Sequence, residues 1–104
     1  MCANLSSYRI VLQIADVVEE AVRGGNQCIV LGGDHSLAIG SVAGHSRVHG
    51  DMGVIWVDAH ADINPPSRST TGNAHGMPLA FLARELRYKI PIDLQPGFPW
   101  LRPW

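Results

Sequence analysis

Two short apolar runs place the strongest constraint on the fold of this 104-residue chain. Residues 27–31 read QCIVL and residues 53–57 read GVIWV. Continuous apolar runs of this length are typical of strands buried on both faces of a parallel sheet. Residues 37–48, which lie between them, have a helical pattern. The order therefore predicts a right-handed βαβ unit with short links.

The rest of the chain predicts two more helices and one long loop. Apolar residues at helical spacing indicate a helix over residues 7–23, which a Gly-Gly pair ends. Pro78 is expected to open a third helix, which Pro91 ends. Residues 59–77 between these elements are rich in Pro, Ser, Thr, Asn, Gly and His. A loop of this length in a compact domain is usually functional or disordered.

The charge content limits the classes of binding partner, and the cysteine content indicates the cellular compartment. Eight Lys and Arg against nine Asp and Glu leave a net charge of −1, and no basic run is present. We therefore expect no nucleic-acid partner and no membrane partner. The longest uncharged stretch, 69–83, is too short and too polar at its start to span a bilayer. Two cysteines, at positions 2 and 28, predict a reducing compartment, with Cys28 buried as a thiol.

The first polar motif, LGGDHS at 31–36, follows the first predicted strand. Ligands of open α/β sheets bind just outside the carboxyl ends of the strands, so Asp34 and His35 are candidates for a site. The alternative is an ordinary turn in which Asp34 or Ser36 caps the next helix. The motif alone leaves both interpretations open.

The second motif, Asp58-Ala-His60-Ala-Asp62, follows the second predicted strand. In an extended chain its three polar side chains point to one side, where they can converge on a single ion. Two carboxylates and an imidazole suit Mn²⁺, Fe²⁺ or Zn²⁺ better than Ca²⁺. With His35 the set has four ligands, enough for one metal and suggestive of two that activate water for hydrolysis. The alternative is a capped turn with a solvated histidine.

The third motif, STTGNAHG at 69–76, lies in the long loop. Its hydroxyl and amide groups suit recognition of a polar substrate, and His75 could carry protons near neutral pH. A solvated turn is the alternative interpretation. Trp56, in the middle of the second apolar run, is expected in the core rather than in a site.

Together the segments LGGDHS, GVIWVDAHADIN and TGNAHG, the last followed by Met-Pro, resemble the ureohydrolases, specifically the arginase family. The resemblance extends from about Cys28 to Trp100. It implies an α/β fold with three αβα layers and a parallel sheet, of the arginase/deacetylase type. Residues 1–104 would then be a partial arginase-type catalytic domain without the family's first strand and without the C-terminal two-fifths or more.

The resemblance also implies a binuclear manganese site. His35, Asp58 and Asp62 would bind one ion, and Asp58 as a bridge together with His60 would bind the other. Asp34 would support a metal ligand. The family's Asp-x-Asp pair, which completes the site, does not occur in this sequence. The first ion would therefore have three protein groups and the second only two.

The activity implied by the resemblance is hydrolysis of L-arginine to L-ornithine and urea. Asn64, Thr71 and Asn73 would hold the α-carboxylate and α-amino end of arginine, with Thr71 where the family commonly has Ser. His75 would be the proton shuttle and Asp62 would act in catalysis as well as in metal binding. A homotrimer is implied for the full-length protein, in the cytoplasm or in mitochondria. The alternatives are a non-catalytic truncated chain that binds metal weakly, and agmatinase or another ureohydrolase.

Overall fold

Three α-helices form most of the regular structure in the described part of the chain. The computed structural model describes residues 5–84, Leu86 and Leu101, with side chains from residue 9 onward. The helices are α1 (Leu5–Arg23), α2 (Leu37–His49) and α3 (Pro78–Leu82), and single 3₁₀ turns span Pro66–Arg68 and Ala74–Gly76. The first two confirm the predicted helices to within two residues. No helix in this described part is both long and apolar enough to cross a membrane.

Helices α1 and α2 pack against each other at unusually short range. A Cβ atom on Gly40 would lie 2.6 Å from the carbonyl oxygen of Val11, and one on Gly44 would lie 2.5 Å from that of Ala15. Real Cβ atoms do not come this close to a backbone oxygen. The two glycines therefore permit an approach between the helix backbones that any larger residue would prevent.

An ion-pair network borders the same helix contact. Arg47 on α2 donates from Nη1 to Asp16 at 2.7 Å and to Glu19 at 3.2 Å, both on α1. The Glu19 carboxylate also accepts from Arg23, one helical turn further along. Arg23 first, and then Arg47, lower the pKa of Glu19 below its usual value. The ion pairs thus connect the polar edges of the two helices, and the two glycines allow their apolar faces to pack closely.

Helix α3 is shorter than the sequence predicts. It covers one turn and a half, in which Phe81 and Leu82 are buried against the core shared with α1 and α2. Ala83 leaves the helix with φ −74° and ψ 121°, and it forms a parallel bridge with Leu101. Hydrogen bonds to Leu101 replace helical ones at this point, so the prediction of a helix running to Pro91 is wrong at residue 83. Residue 85 and residues 87–100 lie outside the described residues.

The two predicted strands are absent from the part of the chain that the structure describes. Residues 27–31 and 53–57 take part in no β-ladder there. A β-strand forms by backbone hydrogen bonds to a neighbouring strand. Residues 27–31 and 53–57 make no such hydrogen bonds among the described residues.

The prediction that both faces of these runs are buried is also wrong. Four large side chains are between 84% and 92% exposed: Ile29, Leu31, Ile55 and Val57. Cys28, predicted to be buried, is a free and half-buried thiol. The described chain is therefore mostly helical. Of the predicted βαβ unit it contains the helix and, on either side, two apolar runs that are not paired as strands.

Candidate metal centre

The candidate site is formed by the two polar segments that follow the apolar runs. His35 lies in the turn that leads into α2, where successive backbone hydrogen bonds begin the helix. Asp58 and Asp62 lie in the segment after residue 57. The carbonyl oxygen of Asp62 accepts a hydrogen bond from the backbone N–H of Ala80 at 3.0 Å, which anchors this segment to α3. The short helix, although far along the chain, therefore holds one end of the motif.

Asp62 has an unusual backbone conformation. Its φ of 52° makes it the one non-glycine residue in the left-handed region among those described. That region is unfavourable for most side chains, although aspartate and asparagine tolerate it better than others. Such strain is often found at functional sites, where the surrounding structure holds it in place. Here it turns the Asp62 side chain back toward His35.

Three side chains converge at this point. The Nδ1 atom of His35 lies 3.0 Å from Oδ2 of Asp62 and 3.6 Å from Oδ2 of Asp58. One potential ligand atom from each residue falls within 4.8 Å of the other two. Ligand atoms in neighbouring positions around an octahedral ion are about 3 Å apart when the metal–ligand bonds are about 2.1 Å long. The spacing therefore fits a single divalent cation.

The bonding of Asp62 supports the same assignment. Its side chain is only 7% exposed, yet Oδ2 is buried without a hydrogen-bond partner. The Nδ1 atom of His35, 3.0 Å away, makes an ion-pair contact with this oxygen and no hydrogen bond. A buried carboxylate oxygen without a donor is costly to maintain. An imidazole nitrogen and a carboxylate oxygen that lie this close without a hydrogen bond between them are suited to share a cation, so the residues fit a metal ion.

His60 lies at the edge of this cluster. The other carboxylate oxygen of Asp58, Oδ1, accepts a hydrogen bond from the His60 backbone N–H at 2.9 Å and lies 3.6 Å from the ring Nδ1. The His60 side chain is 83% exposed and does not belong to the three-residue cluster. Asp58 thus presents one oxygen toward His35 and Asp62, and the other toward His60.

The three loop residues expected to hold a substrate are all exposed. They are Asn64, Thr71 and Asn73. The Oγ1 atom of Thr71 accepts a hydrogen bond from the backbone N–H of Asn73 at 3.3 Å. Gly72, with φ 73°, donates its N–H to the hydroxyl oxygen of Ser69 at 2.9 Å. These bonds shape the loop internally and leave its amide side chains facing solvent.

His75 and Asp34 are adjacent in space. The Nδ1 atom of His75 lies 3.6 Å from Oδ2 of Asp34, and the imidazole is 53% exposed. The other oxygen of Asp34 accepts a hydrogen bond from the Ser36 backbone N–H at 2.8 Å. The hydrogen bonds from Ser36 lower the pKa of Asp34, with a smaller contribution from His75 and then His35. Asp34 therefore faces the predicted proton shuttle, whereas the sequence suggested that it supports a metal ligand.

Comparison with known proteins identifies the family. The profile of the Arginase family matches residues 2–91, which is most of the chain. The chain belongs to the arginase family. Arginase-1 of Homo sapiens is 59% identical over 91 residues, which are 88% of this chain and 28% of that protein. Arginase-2, mitochondrial, of Rattus norvegicus is 58% identical over 91 residues, which are 25% of its length.

This arginase-family chain spans about a quarter of the length of the curated relatives that it matches. The matched residues include every predicted site residue from His35 to His75. The family that the three motifs suggested is therefore confirmed. The match concerns ancestry, and the roles of individual residues still depend on the geometry above.

One residue of the site was missed by the sequence analysis. The indole of Trp56, expected in the core, lies against the imidazole of His35, with ring centroids 5.3 Å apart and planes inclined by 32°. The signal was present in the sequence of this arginase-family chain. Trp56 has the same parity as Asp58, His60 and Asp62, so an extended chain places it on the same side as the ligands.

Proposed function

We propose that this chain carries part of a manganese centre that hydrolyses L-arginine to L-ornithine and urea. In this proposal His35, Asp58 and Asp62 hold one ion, while Asp58 and His60 contribute to a second. The observation that supports it most directly is the convergence of His35 Nδ1 with two carboxylate oxygens, one of them buried and without a hydrogen bond. Family membership supports the choice of metal and reaction.

The chain's own residues would have separate tasks in this reaction. When bound, the two ions would polarise the attacking water and the guanidinium group. Asn64, Thr71 and Asn73 would bind the α-carboxylate and α-amino group through the amide and hydroxyl groups that they expose to solvent. Their position along one loop would set the distance between the amino-acid end of the substrate and the metal centre. That distance selects a substrate of the length of arginine.

The proton balance requires a group that returns a proton to the leaving amine. Water adds to the guanidinium carbon, the bond from that carbon to the ornithine nitrogen breaks, and this nitrogen leaves with an added proton. His75 would supply it, because an exposed imidazole exchanges protons readily with solvent near neutral pH. Asp62 would stabilise the positive charge of the guanidinium group in addition to binding metal.

For the whole protein we propose the three-layer αβα fold with a parallel sheet, of which residues 1–104 form a partial catalytic domain. The exposed row of Ile29, Leu31, Ile55 and Val57 supports this, since sheets in such folds are covered on both faces. A homotrimer without nucleic-acid or membrane partners belongs to the same proposal. The proposed location of the whole protein is cytoplasmic or mitochondrial. Of the two relatives, arginase-2 is named mitochondrial, whereas the name of arginase-1 gives no location.

A second candidate function is weak metal binding without catalysis. Three side chains would hold the first ion and only Asp58 and His60 the second, and no Asp-x-Asp pair occurs in the sequence. Loss of ligands weakens metal binding strongly. Agmatinase and other ureohydrolases are a further alternative, distinguished by whether the substrate carries an α-carboxylate.

Urea release separates these functions. The 104-residue chain is incubated with Mn²⁺ and with L-arginine or agmatine, and His35→Ala serves as the variant without the central ligand. Urea from arginine but not from agmatine, lost in His35→Ala, supports the arginase reaction. Mn²⁺ binding without urea supports the second candidate and contradicts catalysis by this chain. Preference for agmatine contradicts the role of Asn64, Thr71 and Asn73.

A further inference from the structure

We propose that Trp56 is a positioning residue for the metal centre, on whose indole ring the imidazole of His35 rests. The contact would fix the direction of His35 Nδ1 toward Asp58 and Asp62, and thereby set the metal affinity of the site. This inference rests on the metal centre of the proposed function. It does not depend on the identity of the substrate or on catalysis.

The position of Trp56 follows from the alternation along the second apolar run. Ile55 and Val57 on either side of it are more than 90% exposed, whereas Val54 and Trp56 are half-buried. Side chains of alternate residues point to opposite sides of an extended segment. Trp56 is therefore turned inward, toward the side on which Asp58 follows two residues later.

The indole acts here through its ring and not through its N–H group. The Nε1 atom of Trp56 is buried and has no hydrogen-bond partner among the described residues. An unpaired buried N–H is unfavourable, so polar bonding does not explain why the side chain lies where it does. The contact that it makes is a tilted approach to the His35 ring, with centroids 5.3 Å apart and planes inclined by 32°. Aromatic pairs at this separation attract each other beyond simple burial.

His35 needs such a support because its other contacts leave its ring orientation open. Its imidazole can rotate about two side-chain torsions, and only some orientations direct Nδ1 at the carboxylates 3.0 and 3.6 Å away. The contact with Asp62 Oδ2 is no hydrogen bond, and the Asp58 oxygen at 3.6 Å is too distant for one. A flat aromatic surface beneath the ring removes most other orientations before the ion arrives. Ligands held in advance bind metal more tightly than ligands that must be ordered on binding.

Core packing is the competing explanation for Trp56, and substitutions can separate the two. Trp56→Phe keeps an aromatic surface, whereas Trp56→Leu keeps an apolar side chain without one. Val54→Ala is the matched control, because Val54 lies on the same side of the same run and is also half-buried. A packing role predicts effects on unfolding in all three variants. A positioning role predicts a specific effect on metal binding in Trp56→Leu.

The first measurement is the metal affinity of the 104-residue chain and its variants. Calorimetry measures binding of Mn²⁺, and visible absorption measures binding of Co²⁺. We expect Trp56→Leu to weaken binding roughly ten-fold, the size of effect seen when residues that orient metal ligands are lost. Trp56→Phe should bind within about three-fold of the parent chain, since the ring contact survives. Val54→Ala should bind like the parent, and far-UV circular dichroism should be the same for all.

The second measurement needs no metal. In proton NMR spectra of the metal-free chain, the ring protons of His35 should be shifted by the ring current of Trp56 and show cross-relaxation with the indole protons. Both signals should persist, reduced in size, with Phe and disappear with Leu. This readout remains available if Trp56→Leu folds poorly, because the parent chain and Trp56→Phe are sufficient for it.

The outcomes distinguish failure of this inference from failure of the proposed function. Equal metal affinity in Trp56→Leu and the parent chain, or no cross-relaxation between the two rings in the parent, overturns the role of Trp56 and leaves the metal centre standing. A parent chain that binds neither metal overturns both. Metal binding that depends on the Trp56 ring, without any urea release, supports the inference and contradicts only catalysis.

Discussion

Replacing Gly44 by alanine tests whether the close approach of α1 and α2 is necessary. A Cβ at this position would lie 2.5 Å from the carbonyl oxygen of Ala15 and 2.7 Å from Cβ of Val18. Ordinary contacts are about 1 Å longer, so the helices must move apart. Both obstacles belong to the opposite helix at its backbone or first side-chain carbon, which cannot rotate away. The substitution therefore strains the contact rather than a flexible side-chain end.

Two effects of opposite sign determine the magnitude. Alanine is better than glycine in a helix by about 1 kcal/mol, which stabilises the variant. Overpacking of a well-filled contact costs about 1–3 kcal/mol, and the backbone obstacle at Gly44 favours the upper part of that range. The expected net loss is thus about 1–2 kcal/mol in the free energy of unfolding. For a domain of this size, each kcal/mol lowers Tm by roughly 4–8 °C.

The assay is thermal unfolding of the metal-free chain followed by far-UV circular dichroism. Ser41→Ala, in the same helix, is the matched control, because there the hydroxyl only donates to the Ala38 carbonyl. It should leave Tm unchanged or slightly higher. Gly53→Ala, where a Cβ would meet nothing within 4 Å, tests loss of a glycine without overpacking. A Gly44→Ala variant with a raised Tm would refute the reasoning, since helix propensity alone predicts that result.

Three further predictions concern charged groups. Asp62→Asn should weaken Mn²⁺ binding more than ten-fold, because a ligand is lost. It should also stabilise the metal-free chain by about 1 kcal/mol, because a neutral amide is easier to bury than a carboxylate whose Oδ2 accepts no hydrogen bond; calorimetry and thermal unfolding measure the two effects. The pKa of Asp34 is lowered in the folded chain, so the wild-type chain should be more stable than Asp34→Asn above about pH 4. That advantage should be lost as the pH falls through the lowered pKa. Urea unfolding at several pH values measures the trend, and a difference independent of pH would contradict it. Arg47→Ala should lower Tm slightly through loss of its pairs with Asp16 and Glu19, because exposed ion pairs stabilise little, and the difference should shrink near 1 M NaCl; a salt-independent loss would point to packing by the arginine stem instead.

The sequence could predict those parts of the molecule that depend on local pattern. Helices α1 and α2 follow from apolar spacing and end at glycines, and both occur where expected. The family follows from three motifs that occur in order within residues 31–78. Alternation along an extended segment predicts Asp58, His60 and Asp62 on one side, whereas the structure brings only Asp58 and Asp62 to His35, with Asp62 at a positive φ.

Other features depend on contacts that local pattern does not contain. Helix α3 stops at Leu82 because Ala83 pairs with Leu101, a residue far along the chain. The stacking of Trp56 on His35 likewise joins two segments that the sequence treats separately. Apolar character at residue 56 predicts burial, but only the fold decides what the side chain is buried against.

The family, the two long helices and the residues with metal-binding chemistry can be read from the sequence, because they depend on side-chain type and periodicity. Three other features exist only in the folded chain: Asp62 Oδ2 is buried without a hydrogen bond, Asp34 faces His75, and the apolar runs have an uncovered face. The physical reason is that hydrogen bonds, strand pairing and burial are relations between distant segments. An apolar run such as residues 53–57 has the sequence pattern of a strand, but it forms one only when a neighbouring backbone supplies the hydrogen-bond partners.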